Sequence, residues 1–195
     1  MPVEKGDLVG GRYRLRERFT EGGMGEVWRA TDEFVPRTVV LKRTLLDGER
    51  GREEVLREAA ILAEMQHRHV VTLHDVIPHE KDGGDGGDYW LVMEYVRSSS
   101  LSGIVNALPG RRLAEEDGVP PWRRAAEVGL QIAEVLRAVH AKGVVHRDIK
   151  PGNVLIADRW FVKVTDFGNC GAVDPEGTQD GTDREDPVPR TPAYT

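Results

Sequence analysis

The most informative part of the chain reads His146-Arg147-Asp148-Ile149-Lys150-Pro151-Gly152-Asn153, and Asp166-Phe167-Gly168 follows it. Three polar side chains in these stretches, Asp148, Asn153 and Asp166, fall in loops or near the ends of short predicted strands. Asn153 and Asp166 offer the hard oxygen atoms that Mg²⁺ prefers beside phosphate oxygens. Asp148 offers an acceptor for a proton. Any one of these residues could belong to an ordinary polar loop, but the ordered set indicates a site.

Regular structure is predicted on both sides of this stretch. Residues 122–142 form a helix, because apolar side chains recur every three or four positions, and Gly143 ends it. The apolar face of this helix carries Val128, Ile132, Val135 and Val139. Short strands are predicted at residues 144–145, 154–156 and 161–165. Residues 170–189 are rich in Asp, Gly and Pro, and we expect them to be mobile.

The first half of the chain is dominated by strand patterns. Residues 12–19 alternate, with arginines on one face and Tyr13, Leu15 and Phe19 on the other, which is typical of a half-buried antiparallel strand. A glycine-rich turn connects this strand to a second strand at residues 26–30. Further strands are predicted at residues 38–43, 71–77 and 89–95. One helix interrupts them, at residues 49–65, with an apolar stripe formed by Val55, Ala59, Leu62 and Met65.

Two segments lack a clear apolar pattern. Residues 81–88 contain only Lys, Asp and Gly, and we interpret them as a flexible hairpin loop. A calcium-binding loop is the alternative, although no recognised ligand spacing is present. Residues 98–100 are three serines and are predicted to be a linker between lobes. The order of elements predicts an α+β fold with two lobes, at residues 1–97 and 98–195, and a ligand in the crevice between them.

Composition narrows the class of protein. The net charge of −6 argues against binding to nucleic acid or to an anionic membrane. The single cysteine, Cys170, excludes a disulfide framework and fits a reducing compartment. No apolar run approaches the roughly 20 residues that span a bilayer, and the first ten residues do not resemble a secretion signal. We therefore expect a cytoplasmic protein with no membrane segment in this chain.

Some candidate residues of the first half have ordinary explanations when each is considered alone. Gly22 and Gly25 let backbone N–H groups approach a phosphate closely, but a glycine-rich hairpin without a ligand explains these glycines better when they are taken alone. Lys42 ends an apolar strand and could be a solvated strand end. Glu58 lies on the predicted helix and could pair with Lys42 where phosphates bind, or form a surface salt bridge of little energetic value.

Taken together, these motifs resemble the protein kinases. The glycine-rich hairpin, Val39-Val40-Leu41-Lys42, Glu58, the stretch from His146 to Asn153 and Asp166-Phe167-Gly168 occur in the order of that family. The sequence Gly22-Gly23-Met24-Gly25-Glu26-Val27 resembles that of bacterial members of the family. The resemblance extends from about Arg12 to Tyr194, and it implies a two-lobed kinase fold with an antiparallel upper lobe and a mostly helical lower lobe.

The resemblance implies ATP and Mg²⁺ as ligands, and it assigns a role to each matching position. Lys42 contacts the α- and β-phosphates and pairs with Glu58, Asp148 accepts or orients the proton of the substrate hydroxyl, and Lys150 neutralises the transferred phosphoryl group. Asn153 and Asp166 hold Mg²⁺. The remaining nucleotide-binding positions are Gly22, Gly23 and Gly25 over the phosphates, Val27 and Val40 against adenine, Met93 at the back of the pocket, and Glu94 and Val96 in the hinge.

The same resemblance indicates the substrate class. Lys150, two residues after Asp148, and the loop Thr191-Pro192-Ala193-Tyr194 are typical of serine/threonine kinases, which act on hydroxyl groups of proteins. Arg147 suggests control by phosphorylation of the following segment, where Thr178 and Thr182 are candidate acceptors. Solvated threonines are the alternative, and Thr191 is better explained as a structural contact near Asp148.

Three features depart from the family pattern. Thr20 replaces the first glycine of the usual triplet, and Val40 replaces a commoner alanine. The chain ends at Thr195, before the Ala-Pro-Glu signature and the helices that follow it in the family. We therefore expect an incomplete lower lobe whose helix at 122–142 exposes its apolar face, either to aggregation or to a partner that covers it.

Three hypotheses follow. The first is an ATP-dependent serine/threonine protein kinase, present here as a truncated catalytic domain. The second is a catalytically inactive kinase-like module that binds nucleotide or a partner. The third, a small-molecule phosphotransferase, is disfavoured by the stretch from Thr191 to Tyr194.

Overall fold

The computed structural model describes residues 3–22, 25–43, 49–79, 88–107 and 118–172. Several predictions lie outside these residues. They concern Gly23 in the glycine turn, most of the polar loop at 81–88, and the whole segment that contains Thr178, Thr182 and Thr191.

Within the described residues, the upper lobe is a six-stranded antiparallel sheet with one helix. Its elements are β1 (Leu8–Val9), β2 (Tyr13–Gly22), β3 (Gly25–Asp32), β4 (Arg37–Arg43), α1 (Glu49–Glu64), β5 (Leu73–His79) and β6 (Asp88–Glu94). The strands lie in the order β1-β2-β3-β4-β6-β5. Each predicted strand and the predicted helix of this half are therefore present, with ends that differ by a few residues.

The two faces of this sheet have different environments. On one face, side chains from five strands form a closed apolar cluster, which comprises Val9, Tyr13, Leu15, Trp28, Ala30, Val39, Leu41, Trp90 and Val92. The other face carries Val27 and Lys42, which are directly opposite each other in the β3–β4 register. Helix α1 covers part of that second face, because Val55 and Ala59 pack against Leu91 of β6. The uncovered part is where the candidate site lies.

The predicted face of the first strand is partly wrong. Tyr13 and Leu15 are fully buried as expected, but Phe19 is 45% exposed. Register shifts occur in β2 between Leu15 and Glu17 and again between Arg18 and Thr20. Because each shift inserts an extra residue, the alternation of faces is lost beyond Leu15.

The described part of the lower lobe contains two helices and short strands. Its elements are β7 (Ser98–Ser100), α2 (Leu101–Asn106), α3 (Pro121–His140), β8 (Val144–Val145), β9 (Val154–Ala157), β10 (Phe161–Val164) and β11 (Gly171–Ala172), with 3-10 turns at Pro151–Asn153 and Asp158–Trp160. They form a three-stranded sheet, β10-β9-β7, and a two-stranded sheet, β11-β8. The stretch from His146 to Asn153 lies between β8 and β9, and Asp166 follows β10.

The three serines predicted as a linker form a strand instead. Ser98, Ser99 and Ser100 pair with residues of β9, and the hydroxyl of Ser100 accepts a hydrogen bond from the N–H of Gly103 at 3.1 Å. A run of serines has little strand preference by itself. The pairing with β9 and the cap on α2 impose the structure.

Helix α3 begins one residue before and ends two residues before the predicted bounds of 122–142, and its burial corrects one expectation. Val128, Val135 and Val139 are buried within the described lower lobe, so the predicted exposure of this face is wrong. The large apolar side chains that the helix exposes are Trp122, at 72%, and Leu130, at 63%. Gly143 has a φ of 71°, which glycine adopts without strain, and its N–H bonds to the carbonyl of His140.

Hydrogen bonds and a shared core join the two lobes. The N–H of Val164 donates to the carbonyl of His69, and the N–H of Val71 donates to the carbonyl of Val164. A single apolar cluster includes Leu62 and Met93 of the upper lobe together with Phe167 of the lower lobe. The segment between α1 and β5 is thus fixed to the strand that leads to Asp166.

Candidate active site

Lys42 lies at the centre of the site. It stands near the end of β4 on the sheet face that faces the lower lobe. Its Nζ donates to both oxygens of Glu58, at 2.8 and 2.9 Å, and to Oδ1 of Asp166, at 2.6 Å. The structure therefore brings together a strand lysine, a helix glutamate and a loop aspartate that sequence reasoning placed in one site.

The two carboxylates around Lys42 keep its side chain positively charged. Glu58 is only 2% exposed, so its pairing with Lys42 occurs largely away from water. Burial lowers the pKa of Lys42, but the nearby carboxylates of Glu58 and Asp166 outweigh it and raise the pKa above the ordinary value. Lys42 is therefore an ammonium ion at neutral pH and can bind an anion.

The stretch Asp166-Phe167-Gly168 fits closely beneath α1. Asp166 has a φ of 68°, in the left-handed region that non-glycine residues adopt only uncommonly. The N–H of Phe167 donates to Oε1 of Glu58 at 3.3 Å, and the ring of Phe167 is buried. A Cβ at Gly168 would lie 3.3 Å from Oε2 of Glu58, which is tighter than ordinary packing. Glu58 thus positions both Lys42 and this stretch.

Asp148 is a second anionic group of the site, in addition to Asp166. Its Oδ2 accepts a hydrogen bond from Nζ of Lys150 at 2.7 Å and from Nδ2 of Asn153 at 3.0 Å. Nδ2 of Asn153 also bonds to the backbone carbonyl of Asp148 at 2.9 Å. Burial raises the pKa of Asp148, but hydrogen bonds from Lys150 and Asn153 prevail and hold it below the ordinary value. Asp148 is therefore an ionised acceptor at neutral pH.

A chain of contacts joins Asp166 to Asp148. The N–H of Thr165, which precedes Asp166, donates to the carbonyl of Asn153 at 3.0 Å. His146 provides a second link, because its Nδ1 accepts from the N–H of Asp148 and its ring lies 4.6 Å from that of Phe167. Burial lowers the pKa of His146, so the ring is neutral at neutral pH. Lys42, Asp166, Asn153 and Asp148 consequently line one continuous region.

The residues predicted to surround adenine lie at the upper side of this region. Val40 pairs with Met93 in the β4–β6 register, and Val27 faces Lys42, so these side chains share one sheet face. Met93 is buried in the core that joins the lobes. Beyond β6, the carbonyl of Val96 accepts a hydrogen bond from the hydroxyl of Ser98 at 3.1 Å. Gly22 and Gly25 are direct partners where β2 and β3 meet the glycine turn.

The residues present suit a magnesium ion. Nδ2 of Asn153 is engaged with Asp148, which leaves its amide oxygen Oδ1 as a donor atom. Oδ1 of Asp166 contacts Lys42, while Oδ2 makes no hydrogen bond to the rest of the described chain. One amide oxygen and one carboxylate oxygen near the ammonium group of Lys42 match the preference of Mg²⁺ for few protein ligands combined with phosphate oxygens.

Sequence reasoning missed the partners of Glu94. Its Oε1 accepts hydrogen bonds from Nζ of Lys163 at 2.5 Å and from the N–H of Thr72 at 2.7 Å. Lys163 also donates to the carbonyl of Val70 at 3.0 Å. The side chain of this predicted hinge residue therefore ties the upper lobe to β10. The available signal was a lone lysine between two valines, Val162 and Val164, in a predicted strand.

The comparisons with known proteins agree with this geometry. The family described as "Protein kinase domain" matches residues 13–193, so the chain belongs to the protein kinase family. Serine/threonine-protein kinase PknA of Mycobacterium tuberculosis is 36% identical over 177 residues, which are 89% of this chain and 39% of that protein. The predicted kinase fold, α+β and two-lobed, is thereby confirmed.

Two further relatives are also bacterial. Serine/threonine-protein kinase PksC of Streptomyces coelicolor is 36% identical over 82% of this chain and 28% of its own length. A probable serine/threonine-protein kinase of Clostridium perfringens is 34% identical over 87% of this chain and 23% of its own length. The resemblance to bacterial serine/threonine kinases is confirmed, and the chain spans between 23% and 39% of the length of these relatives. No helix among the described residues is long and apolar enough to cross a membrane.

Proposed function

We propose that this chain carries the nucleotide site and catalytic loop of a serine/threonine protein kinase, which transfers the γ-phosphoryl group of ATP to a protein hydroxyl. The observation that carries the proposal is the contact chain from Lys42 through Asp166 and Asn153 to Asp148. It connects Lys42, a cation that can bind phosphates, with Asp148, an anion that can accept a hydrogen bond from the attacking hydroxyl, and phosphoryl transfer requires both groups in one site. The bacterial relatives support the serine/threonine class.

Each residue has a distinct task in this proposal. Lys42 binds the α- and β-phosphates, and Glu58 holds it in place. Asp148 accepts a hydrogen bond from the attacking hydroxyl and orients it towards the γ-phosphorus atom. Lys150, already 2.7 Å from Asp148, neutralises charge on the transferred group. Asn153 and Asp166 hold Mg²⁺, which supplies positive charge to the phosphate oxygens when it is bound.

The surrounding residues complete the nucleotide site. Gly22, Gly23 and Gly25 provide backbone N–H groups for the phosphates, and Val27 and Val40 contact adenine from above. Met93 closes the back of the pocket, and the backbone from Glu94 to Val96 binds the edge of the base. We place the reaction in the cytoplasm, where ATP is available and the free thiol of Cys170 stays reduced.

Transfer from γ-labelled ATP tests the proposal. The chain is incubated with Mg²⁺ and generic acceptor proteins, such as casein and histone, beside the variants Asp148→Asn and Asp158→Asn. Asp158 is an exposed aspartate in the 3-10 turn after β9, which makes it a matched control. We expect transfer by the unchanged chain and by the control, and a loss of about 10²-fold or more in Asp148→Asn.

The same assay separates the proposal from its alternatives. Binding of ATP without transfer by the unchanged chain would favour the inactive nucleotide-binding module. Equal transfer rates for Asp148→Asn and the unchanged chain would refute the role of Asp148. Labelling of small hydroxylated molecules in preference to proteins would favour a small-molecule phosphotransferase.

A further inference from the structure

Glu26 is a buried carboxylate at the root of the glycine turn. It follows Gly25 at the start of β3 and is only 5% exposed. Burial alternates along β3, so Glu26 lies on the opposite sheet face from Val27 and Lys42. The residue therefore makes no contribution to the lining of the proposed nucleotide site, and its burial needs another explanation.

Two arginines from the flanking strands share this carboxylate. Nη2 of Arg43, on β4, lies 2.7 Å from Oε2 of Glu26, and Nη2 of Arg18, on β2, lies 3.0 Å from Oε1. Arg43 is itself buried and its guanidinium group lies 5.0 Å from the centre of the Trp90 ring. One side chain thus connects three adjacent strands at the end of the sheet where the glycine turn begins.

Stability alone explains this arrangement poorly. Removing two charged groups from water costs free energy that their attraction only partly offsets, and apolar residues of similar size often serve as well. A buried ion pair does, however, fix geometry, because its hydrogen bonds are directional. Here the fixed geometry concerns the strand ends that flank the glycine turn. Strand β2 shifts register between Arg18 and Thr20, shortly before Gly22 and Gly25 face each other.

We propose that Glu26 is a positioning residue, which holds the backbone of Gly22 and Gly25 at the height that binding of nucleotide phosphates requires. The inference rests on the proposed nucleotide site. Arg43 is adjacent to Lys42 in β4, so the same carboxylate also fixes the strand that presents Lys42. Glu26 thereby sets the distance between the glycine turn and Lys42 without touching the nucleotide.

The discriminating experiment compares binding of ATP with binding of adenosine. Calorimetric titrations in Mg²⁺ use the unchanged chain, Glu26→Gln and Glu33→Gln. Glu33 pairs with Arg14 at the far end of β3 and is more exposed, so it is a matched control. We expect Glu26→Gln to weaken ATP binding about tenfold, since the loss of one good hydrogen bond to a charged phosphate has that size. Adenosine, which has no phosphates, should bind as before.

A milder variant guards against misfolding of Glu26→Gln. Arg18→Gln removes the link to β2 and leaves the Arg43–Glu26 pair in place, so it should show the same selective loss to a smaller extent. Equal weakening of ATP and adenosine, or no change in either, would reduce Glu26 to a structural residue and overturn the inference. If the unchanged chain binds no ATP, the proposed function falls and the inference with it. If the unchanged chain binds ATP, and both variants bind ATP and adenosine with the same affinities as the unchanged chain, only the inference falls.

Discussion

The ammonium group of Lys42 lies 2.6 Å from Oδ1 of Asp166, although 124 residues separate the two in the chain. Lys42 belongs to the upper sheet and Asp166 follows a strand of the lower lobe, so the contact joins the two lobes. Glu58 binds the same ammonium group from helix α1. The consequences of this arrangement can be measured in activity, stability and chemical reactivity.

Glu58→Gln should impair both stability and catalysis. The neutral amide can accept only part of the hydrogen bonding that Lys42 and the N–H of Phe167 now direct to the carboxylate. We expect a loss of about 1–3 kcal/mol in the free energy of unfolding, typical of a weakened buried charged contact, and a fall in kcat/KM of about tenfold or more. Chemical denaturation and the transfer assay measure these changes. Glu64→Gln, at an exposed position of the same helix, is the control and should behave as the unchanged chain.

Cys170 should react slowly in the folded chain. Burial raises the pKa of its thiol to about 11. Because the folded pKa lies above the unfolded value of about 8.5, the thiol remains protonated at pH 8. Its contribution to stability is complete below about pH 8.5 and declines as the pH rises towards 11. Alkylation by iodoacetamide should therefore be slow at pH 8, accelerate up to about pH 11, and become fast at pH 8 in denaturant. Rapid alkylation of the native thiol at pH 8 would contradict this account.

Lys163→Met should destabilise the connection between the lobes. The substitution leaves Oε1 of Glu94 and the carbonyl of Val70 without a charged donor. We expect a loss of about 1–3 kcal/mol in the free energy of unfolding, the usual cost of removing one partner from partly buried polar groups. Lys142→Met makes the same chemical change at an exposed position after α3. Indistinguishable unfolding curves for the two variants would show that the Glu94–Lys163 pair has no stabilising role.

Periodicity predicted much of the upper lobe because strands such as β3 and β4, and helix α1, bury mainly one face. The stripe of Val55, Ala59, Leu62 and Met65 is buried as predicted, although Met65 lies just beyond the end of α1. Phe19 was assigned to the wrong face because bulges depend on the pairing of two strands, which one strand's sequence does not reveal. The serine strand β7 was missed for a similar reason, since its partner, β9, lies far along the chain.

The sequence predicted the motif residues of the candidate site, but not the contacts on the reverse side of the sheet. The order of motifs identified Lys42, Glu58, Asp148 and Asp166, and the structure brings these residues into one region. Contacts on the reverse side, such as Glu26 with Arg43, carry no motif and become visible only when strands are placed side by side. The roles of the individual site residues, and the division of the chain at residue 97, remain predictions.

The melting temperature of the chain with and without Mg·ATP tests the central claim most directly, namely that Lys42, Asp166 and Asp148 converge on one nucleotide site. A ligand that binds only the folded state raises the melting temperature once its concentration greatly exceeds its dissociation constant. We predict a clear increase for the unchanged chain and for Lys142→Met, and little or none for Lys42→Met. An equal increase in all three proteins, or no increase in any of them, would contradict the account.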